Sequence, residues 1–166
     1  MAIVYLALGS NLGDRAENLR RARQALPPDF VAGACSGVYE TEPAYVVDQP
    51  RYYNQACRAS TSLAPLAALR RLKTIEAKLG RVPSARFGPR LIDLDLLFYD
   101  DQILDSPELE LPHPRLQERP FVLAPLAEIA PELRHPRLAA TVAELLARLG
   151  DTRAAIWPVA PDASPP

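Results

Sequence analysis

The stretch Leu91-Ile92-Asp93-Leu94-Asp95-Leu96-Leu97-Phe98 sets two carboxylates two residues apart in an otherwise apolar run. Read as a strand, it puts Asp93 and Asp95 on one face with backbones about 6.6 Å apart, and Ile92, Leu94, Leu96 and Phe98 on the other. Aspartate is depleted in strands, and two like charges on one face repel, so a cation must offset them. Hard oxygen donors suit Mg²⁺, which keeps several waters and completes its shell from phosphates. Two carboxylates at this spacing can hold a metal pair that clamps a phosphate chain. Pairing with surface arginines is the competing reading, since a lone Asp-x-Asp is a weak motif, and metal binding is the favoured one. Immediately upstream, Arg81, Arg86 and Arg90 are separated by Pro83, Gly88 and Pro89. Guanidinium forks match phosphate oxygens two at a time, so these arginines read as phosphate clamps beside the metal. No glycine-rich phosphate loop ending in lysine is present, and the only lysines are Lys73 and Lys78.

The elements that must position these groups follow from periodicity and punctuation. Ala2–Leu8 reads as a strand ended by Gly9. Asp14 with Glu17 suggests a capping box for a helix through Leu26, stopped by Pro27-Pro28. Val31–Tyr39 and Tyr52–Leu63 read as strands joined by a long segment, Glu40 to Arg51. Leu66, Leu69, Leu72, Ile75 and Leu79 form a helical stripe, with Pro65 in the first turn and Gly80 as the stop. Leu91–Tyr99 is the carboxylate strand, Leu104–Pro120 a proline-punctuated connection, and Phe121–Ala130 and Val142–Leu149 read as helices. Ala154–Val159 suggests a closing strand. This order implies an α+β sandwich with two helices on one face of an antiparallel sheet, a single domain over residues 1–159, and a proline-rich disordered tail over 160–166.

Composition narrows the function. The 166 residues carry 19 Lys+Arg against 20 Asp+Glu, a net charge of −1, which argues against sequence-blind binding of nucleic acid or membrane. No apolar run is long enough to span a bilayer, and the first residues lack a basic leader. Cys35 and Cys57, with no Cys-x-x-Cys spacing, read as reduced thiols of a cytoplasmic protein. Eighteen prolines against seven glycines mean rigid joints, several of them beside the segments with chemistry.

An ordered set of motifs then resembles the 6-hydroxymethyl-7,8-dihydropterin pyrophosphokinase family of folate biosynthesis. It comprises Gly9-Ser10-Asn11-Leu12, Thr41-Glu42-Pro43, Asp48-Gln49-Pro50 with Tyr52 and Asn54, and Glu76 with Gly80-Arg81. Arg86-Phe87-Gly88-Pro89-Arg90, Asp93-Leu94-Asp95, Pro112-His113, Arg119 with Phe121 and Glu128–Leu133 complete it. The resemblance implies a ferredoxin-like βαββαβ sandwich with C-terminal helical additions. It also implies ATP as co-substrate with two Mg²⁺ ions, and a β,γ-pyrophosphoryl transfer to the pterin hydroxymethyl oxygen that releases AMP. Carried over residue by residue, Asp93 and Asp95 are the metal ligands, and Arg81 and Arg90 the catalytic arginines. Glu76, Arg86, His113 and Arg119 are implied to bind ATP, with Leu96 beside the adenine. Thr41, Pro43, Ala44, Tyr52, Asn54 and Phe121 are implied to hold the pterin, with Tyr52 and Phe121 sandwiching its ring. Partners are small molecules acting on a cytoplasmic monomer. Three departures stand out: Phe87 replaces a common Trp, Pro83 takes a position that is often basic, and Ala44-Tyr45-Val46-Val47 replaces a Gly-containing stretch. The chief rival is a single-stranded RNA-binding module of the same element order, which stacks bases on sheet aromatics. The acidic pair stands where RNA phosphates would lie.

Overall fold

Strand β1 (Ala2–Ser10) is flanked on both sides by antiparallel ladders, and this fixes everything that follows. It pairs along its full length with β4 (Tyr52–Thr61) and, across a register shift at Tyr5/Leu6, with β5 (Asp93–Tyr99). Beyond β4 lie β2 (Val31–Cys35) and β3 (Tyr39–Thr41), and β10 (Ile156–Pro158) closes the edge on β3. In this computed structural model residues 1–81, 88–153 and 155–160 are described. The order β3-β4-β1-β5, with α1 (Arg15–Ala25) and α2 (Pro65–Lys78) as crossovers, is the ferredoxin-like arrangement.

Val4, Leu6 and Leu8 point to one face of β1 and bury against Leu19 and Ala22 of α1 and Leu72 and Ile75 of α2. The opposite face is covered too. There Ala56, Leu97 and Phe98 pack on Val122, Leu123 and Leu126 of α3 (Pro120–Ile129) and on Val142 and Leu145 of α4 (Val142–Arg148). The sheet is therefore the middle of three layers, whereas the sequence reading placed helices on a single face. α3 is apolar nearly all round, as a helix wedged between sheet and α4 must be. Between β5 and α3 run β6 (Leu104–Asp105), β7 (Glu110–Leu111) and a 3₁₀ turn at Leu116–Glu118. A second small hairpin, β8 (Arg134–His135) and β9 (Ala140–Thr141), leads into α4.

Three further expectations need correcting. The strand expected over Val31–Tyr39 is two strands, interrupted where Ser36 turns its backbone N–H to Ala56 O at 2.8 Å. Phe98 does not share a face with Leu94. The shift opposite Tyr5/Leu6 is a bulge in β5, which turns Leu97 and Phe98 together toward α3. Cys35 and Cys57 are not thiols: they stand directly opposite in the β2–β4 register and form a disulfide. Their 22-residue separation carried no sign of that pairing.

Capping is as expected at one helix and partial at another. Thr141 and Glu144 make the full reciprocal box at α4. At α1, Asp14 accepts from Glu17 N at 3.1 Å, but the Glu17 carboxylate turns to Arg20 instead of back to the cap. Residues 161–166, most of the expected tail, lie outside the described residues. Among the described residues no helix is long and apolar enough to cross a membrane.

Candidate active site

A trough opens on the α3 side of the sheet because the central strand carries small residues there. Gly9 of β1 lies between Asn54 of β4 and Asp93 of β5, and one step back Ala7 lies between Ala56 and Asp95. Larger side chains at 7 and 9 would fill this row. They are small, so a cavity of about 250 Å³ forms over them. A Cβ added to Gly9 would stand 3.0 Å from Asn54 Oδ1, so glycine is what lets the amide lie across the floor. Gly9→Ala is expected to displace Asn54 and weaken binding of a ligand that meets this amide about tenfold, the worth of one or two hydrogen bonds. Equilibrium titration checks this; an unaltered Kd would show that Asn54 does not contact the ligand.

One end of the cavity is aromatic and amide-lined. Asn54 Nδ2 donates to Thr41 Oγ1 at 2.7 Å, which fixes the amide orientation and leaves its other polar atoms for a ligand. Tyr52, half-buried, donates to Gly88 O at 3.3 Å, and its phenol is held above the ordinary pKa first by burial and then by the Asp93 charge. Ala44 and Phe121 complete this end. Pro43 does not line this cavity but a neighbouring one.

The other end is charged. α2 ends with Gly80 at φ +99°, its N–H bonding to Ala77 O at 3.1 Å, and Arg81 N bonding to Glu76 O at 3.1 Å. That pair of bonds is a Schellman stop, and it turns Arg81 back over its own helix. Arg81 thereby donates to the Glu76 carboxylate and, at 3.0 Å, to Asp93 Oδ1. Arg90 is fixed through its backbone, whose N–H donates to Asn11 Oδ1 at 2.7 Å while its carbonyl accepts from Asn11 N at 3.0 Å. Asn11 also donates to Gln49 Oε1 and Pro50 O, both at 3.0 Å, so one buried amide pins both loops that frame the cavity. Sequence reasoning had Asn11 only as part of a motif; its abrupt placement after a strand, beside Gly9, was the available signal.

His113 N donates to Leu97 O at 2.9 Å, and its Nδ1 accepts from Arg115 N at 3.3 Å, so the neutral ring carries its proton on Nε2. Burial, helped by the Arg119 charge, pulls its pKa down to about 4. A histidine lowered in the fold is neutral there while the unfolded chain takes up a proton. Stability is therefore full above pH 6.5 and drains as pH falls from 6.5 toward 4. The chain has two histidines, so the proton spectrum resolves the case. The His113 ring is expected to titrate near pH 4, and a midpoint near 6.5 would contradict this environment.

Arg119 caps α3 and, with His113, faces the carboxylates. Two residues expected at the ATP end are placed otherwise. Glu76 is 3% exposed and its carboxylate is occupied by Leu94 N, Lys73 and Arg81, so it does not line the cavity but holds what does. The Leu96 side chain lies in the core on the opposite face, leaving only its backbone for a ligand. Arg86, Phe87 and Pro83, and the loop they belong to, lie outside the described residues.

Asp95 shows what the charged end lacks. Burial, and next the neighbouring Asp93 carboxylate, push its pKa up to about 7, with Lys73 and Arg119 only partly opposing. Lys73 Nζ stands 3.9 Å away. Among the described residues no three His, Cys, Asp or Glu gather to hold a metal by themselves. A pair of carboxylates with an unmet need for positive charge suits Mg²⁺, which takes its remaining oxygens from water and a phosphorylated ligand. The donor set is all oxygen and does not suit softer metals.

A cavity lined by aromatic and amide side chains at one end and by arginines and paired carboxylates at the other, on this scaffold, is the layout expected of a phosphate-transferring enzyme domain. Residues 5–131 match the 7,8-dihydro-6-hydroxymethylpterin-pyrophosphokinase family, and the chain belongs to it. It is 45% identical to the 2-amino-4-hydroxy-6-hydroxymethyldihydropteridine pyrophosphokinase of Pseudomonas aeruginosa over 135 residues, 80% of this chain and 83% of that one. It is also 45% identical over 136 residues to a folic acid synthesis protein of Dictyostelium discoideum, covering 82% of this chain but 21% of that longer protein. The fold matches wild-type HPPK-DHPS of Plasmodium falciparum with a TM-score of 0.72 at 18% identity, over 89% of this chain and 41% of that one.

Proposed function

We propose that the chain transfers the β,γ-pyrophosphoryl group of ATP to the hydroxymethyl oxygen of 6-hydroxymethyl-7,8-dihydropterin, giving AMP and the pterin diphosphate. The observation that carries this reading is the row Asn54–Gly9–Asp93. It sets an amide able to read a heterocycle edge and a carboxylate able to hold a metal on adjacent strands of one cavity. Tyr52 and Phe121 offer aromatic faces to the pterin, and Asn54 and Thr41 meet its edge. Asp93 and Asp95 would hold two Mg²⁺ ions, which supply charge neutralisation of the triphosphate. Attack forms a bond from the pterin oxygen to the β-phosphorus, breaks the bond from that phosphorus to the oxygen that leaves with AMP, and releases the hydroxyl proton to water. Arg81, Arg90 and Arg119 complement the charge on the moving group, and His113 Nε2–H donates to the nucleotide. Arg86 belongs to this set by resemblance.

The reading takes the protein as a monomer. The reading places the chain in the cytoplasm, where ATP is supplied; a reducing compartment would open the Cys35–Cys57 pair. Incubation with ATP, Mg²⁺ and the pterin alcohol is expected to yield AMP in step with pterin diphosphate. ADP as the nucleotide product would mean a single-phosphoryl transfer and overturn the reading.

A further inference from the structure

Tyr45, in the stretch Ala44-Tyr45-Val46-Val47, is 41% exposed yet held by specific contacts. It lies in the segment after β3 and lines the cavity. Arg119 Nε donates to the Tyr45 hydroxyl oxygen at 3.0 Å. The Arg119 guanidinium carbon lies 5.4 Å from the Tyr45 ring centroid, and that of Arg115 lies 5.5 Å from the same centroid. Arg119 also stands 5.7 Å from the Phe121 ring. One phenol thus gathers two guanidinium groups, whose mutual repulsion its electron-rich face offsets. Arg115 had no role in the sequence reading, because nothing in its spacing linked it to Tyr45, 70 positions away in the chain.

We propose that Tyr45 is a positioning residue that presets Arg119 toward the phosphates of the nucleotide, so that the segment framing the pterin end also sets affinity at the phosphate end. The inference rests on the reading of the charged end as the ATP site. Two features make the arrangement suited to this. The hydroxyl fixes Arg119 through Nε, which leaves the terminal nitrogens of the fork for phosphate oxygens. And an arginine already held in place loses less side-chain freedom on binding.

The test is a double-mutant cycle read by calorimetric titration of Mg²⁺ with α,β-methylene-ATP, whose α–β bridge cannot be cleaved. Tyr45→Leu is expected to weaken binding about tenfold, and Tyr45→Phe, which keeps the ring and loses the acceptor, about threefold. In an Arg119→Gln background, Tyr45→Leu should cost less than about twofold, because the residue it positions is gone. A merely structural role would lower the thermal midpoint without this non-additivity. If the Tyr45 and Arg119 effects multiply, or if Tyr45→Leu leaves nucleotide affinity unchanged, the positioning role is wrong while the ATP site stands. If the unaltered protein does not bind the analogue, the ATP reading falls and this inference falls with it.

Discussion

Asp95→Asn is expected to stabilise the metal-free protein at pH 8 while removing the pyrophosphoryl transfer proposed for it. Burial and the Asp93 charge hold the Asp95 pKa at about 7, far above the 3.8 of an unperturbed aspartate. A carboxyl raised in the fold binds a proton that the unfolded chain has already released. Its contribution is therefore favourable below pH 3.8, falls as pH rises toward 7, and is lost above it. At pH 8 the ionised group is a standing cost. Its side chain is 29% exposed, so solvent relieves part of that cost, and about 1–2 kcal/mol is the appropriate scale. Replacing it by the isosteric amide should raise the melting temperature by about 2–6 °C at pH 8 and by little at pH 4. The same change removes one of two carboxylates from the set that suits Mg²⁺, and turnover should fall about 10³-fold or more. Scanning calorimetry at both pH values, with a turnover assay, checks the pair of effects. A variant less stable at pH 8 would show that Lys73 and Arg119 already satisfy the carboxylate, and that no further cation is called for. Stability gained where activity is lost is the signature of a strained functional group.

Sequence periodicity reached the sheet and the carboxylate face because both are local. A residue two places along a strand shares its face whatever surrounds it, so Asp93 and Asp95 were paired correctly. The rule failed one turn of the pleat later, at the bulge beside Leu97, because a bulge is a property of two strands and is written in neither. The disulfide failed for the same reason, since only the β2–β4 register brings Cys35 opposite Cys57. Helix α3 was legible as a helix, yet its near-uniform apolarity, which signals burial on several sides, was not followed to the third layer. Within the site, Asp93, Asp95, Arg81 and Arg90 were legible by type and spacing, whereas Thr41, Ala44, Tyr52, Asn54, His113, Arg119 and Phe121 came from the family resemblance. Those that hold them were not legible: Asn11 and Tyr45 act through partners 38 or more residues away. Glu76 left one clue. It stands four residues after Leu72 and beside Ile75 on the buried stripe of α2, where a carboxylate must have partners.

Those partners make Glu76 the second position of large effect. One oxygen, Oε1, accepts from Leu94 N at 2.6 Å and Lys73 Nζ at 3.1 Å, and Oε2 accepts from Arg81. The first bond ties α2 to β5 between the two aspartates, and the last fixes the arginine nearest Asp93. Glu76→Ala leaves the Leu94 N–H without its acceptor and Arg81 without its anchor. The loss of one partner from a buried charged network costs about 3–5 kcal/mol, a fall in melting temperature of about 6–15 °C. Glu76→Gln separates the two roles. The amide oxygen still accepts from Leu94 N–H, so the melting temperature should drop by no more than about 4 °C. The charge that holds Arg81 is gone, however, and kcat should fall about tenfold to a hundredfold with KM for the pterin near its original value. If Glu76→Gln lost stability as fully as Glu76→Ala while its residual folded fraction kept full kcat, Glu76 would be a structural tie alone. Arg81 would then need no positioning. If kcat falls in the folded Gln variant, the arginine's placement is set from the helix behind it, by a residue that never meets the substrate.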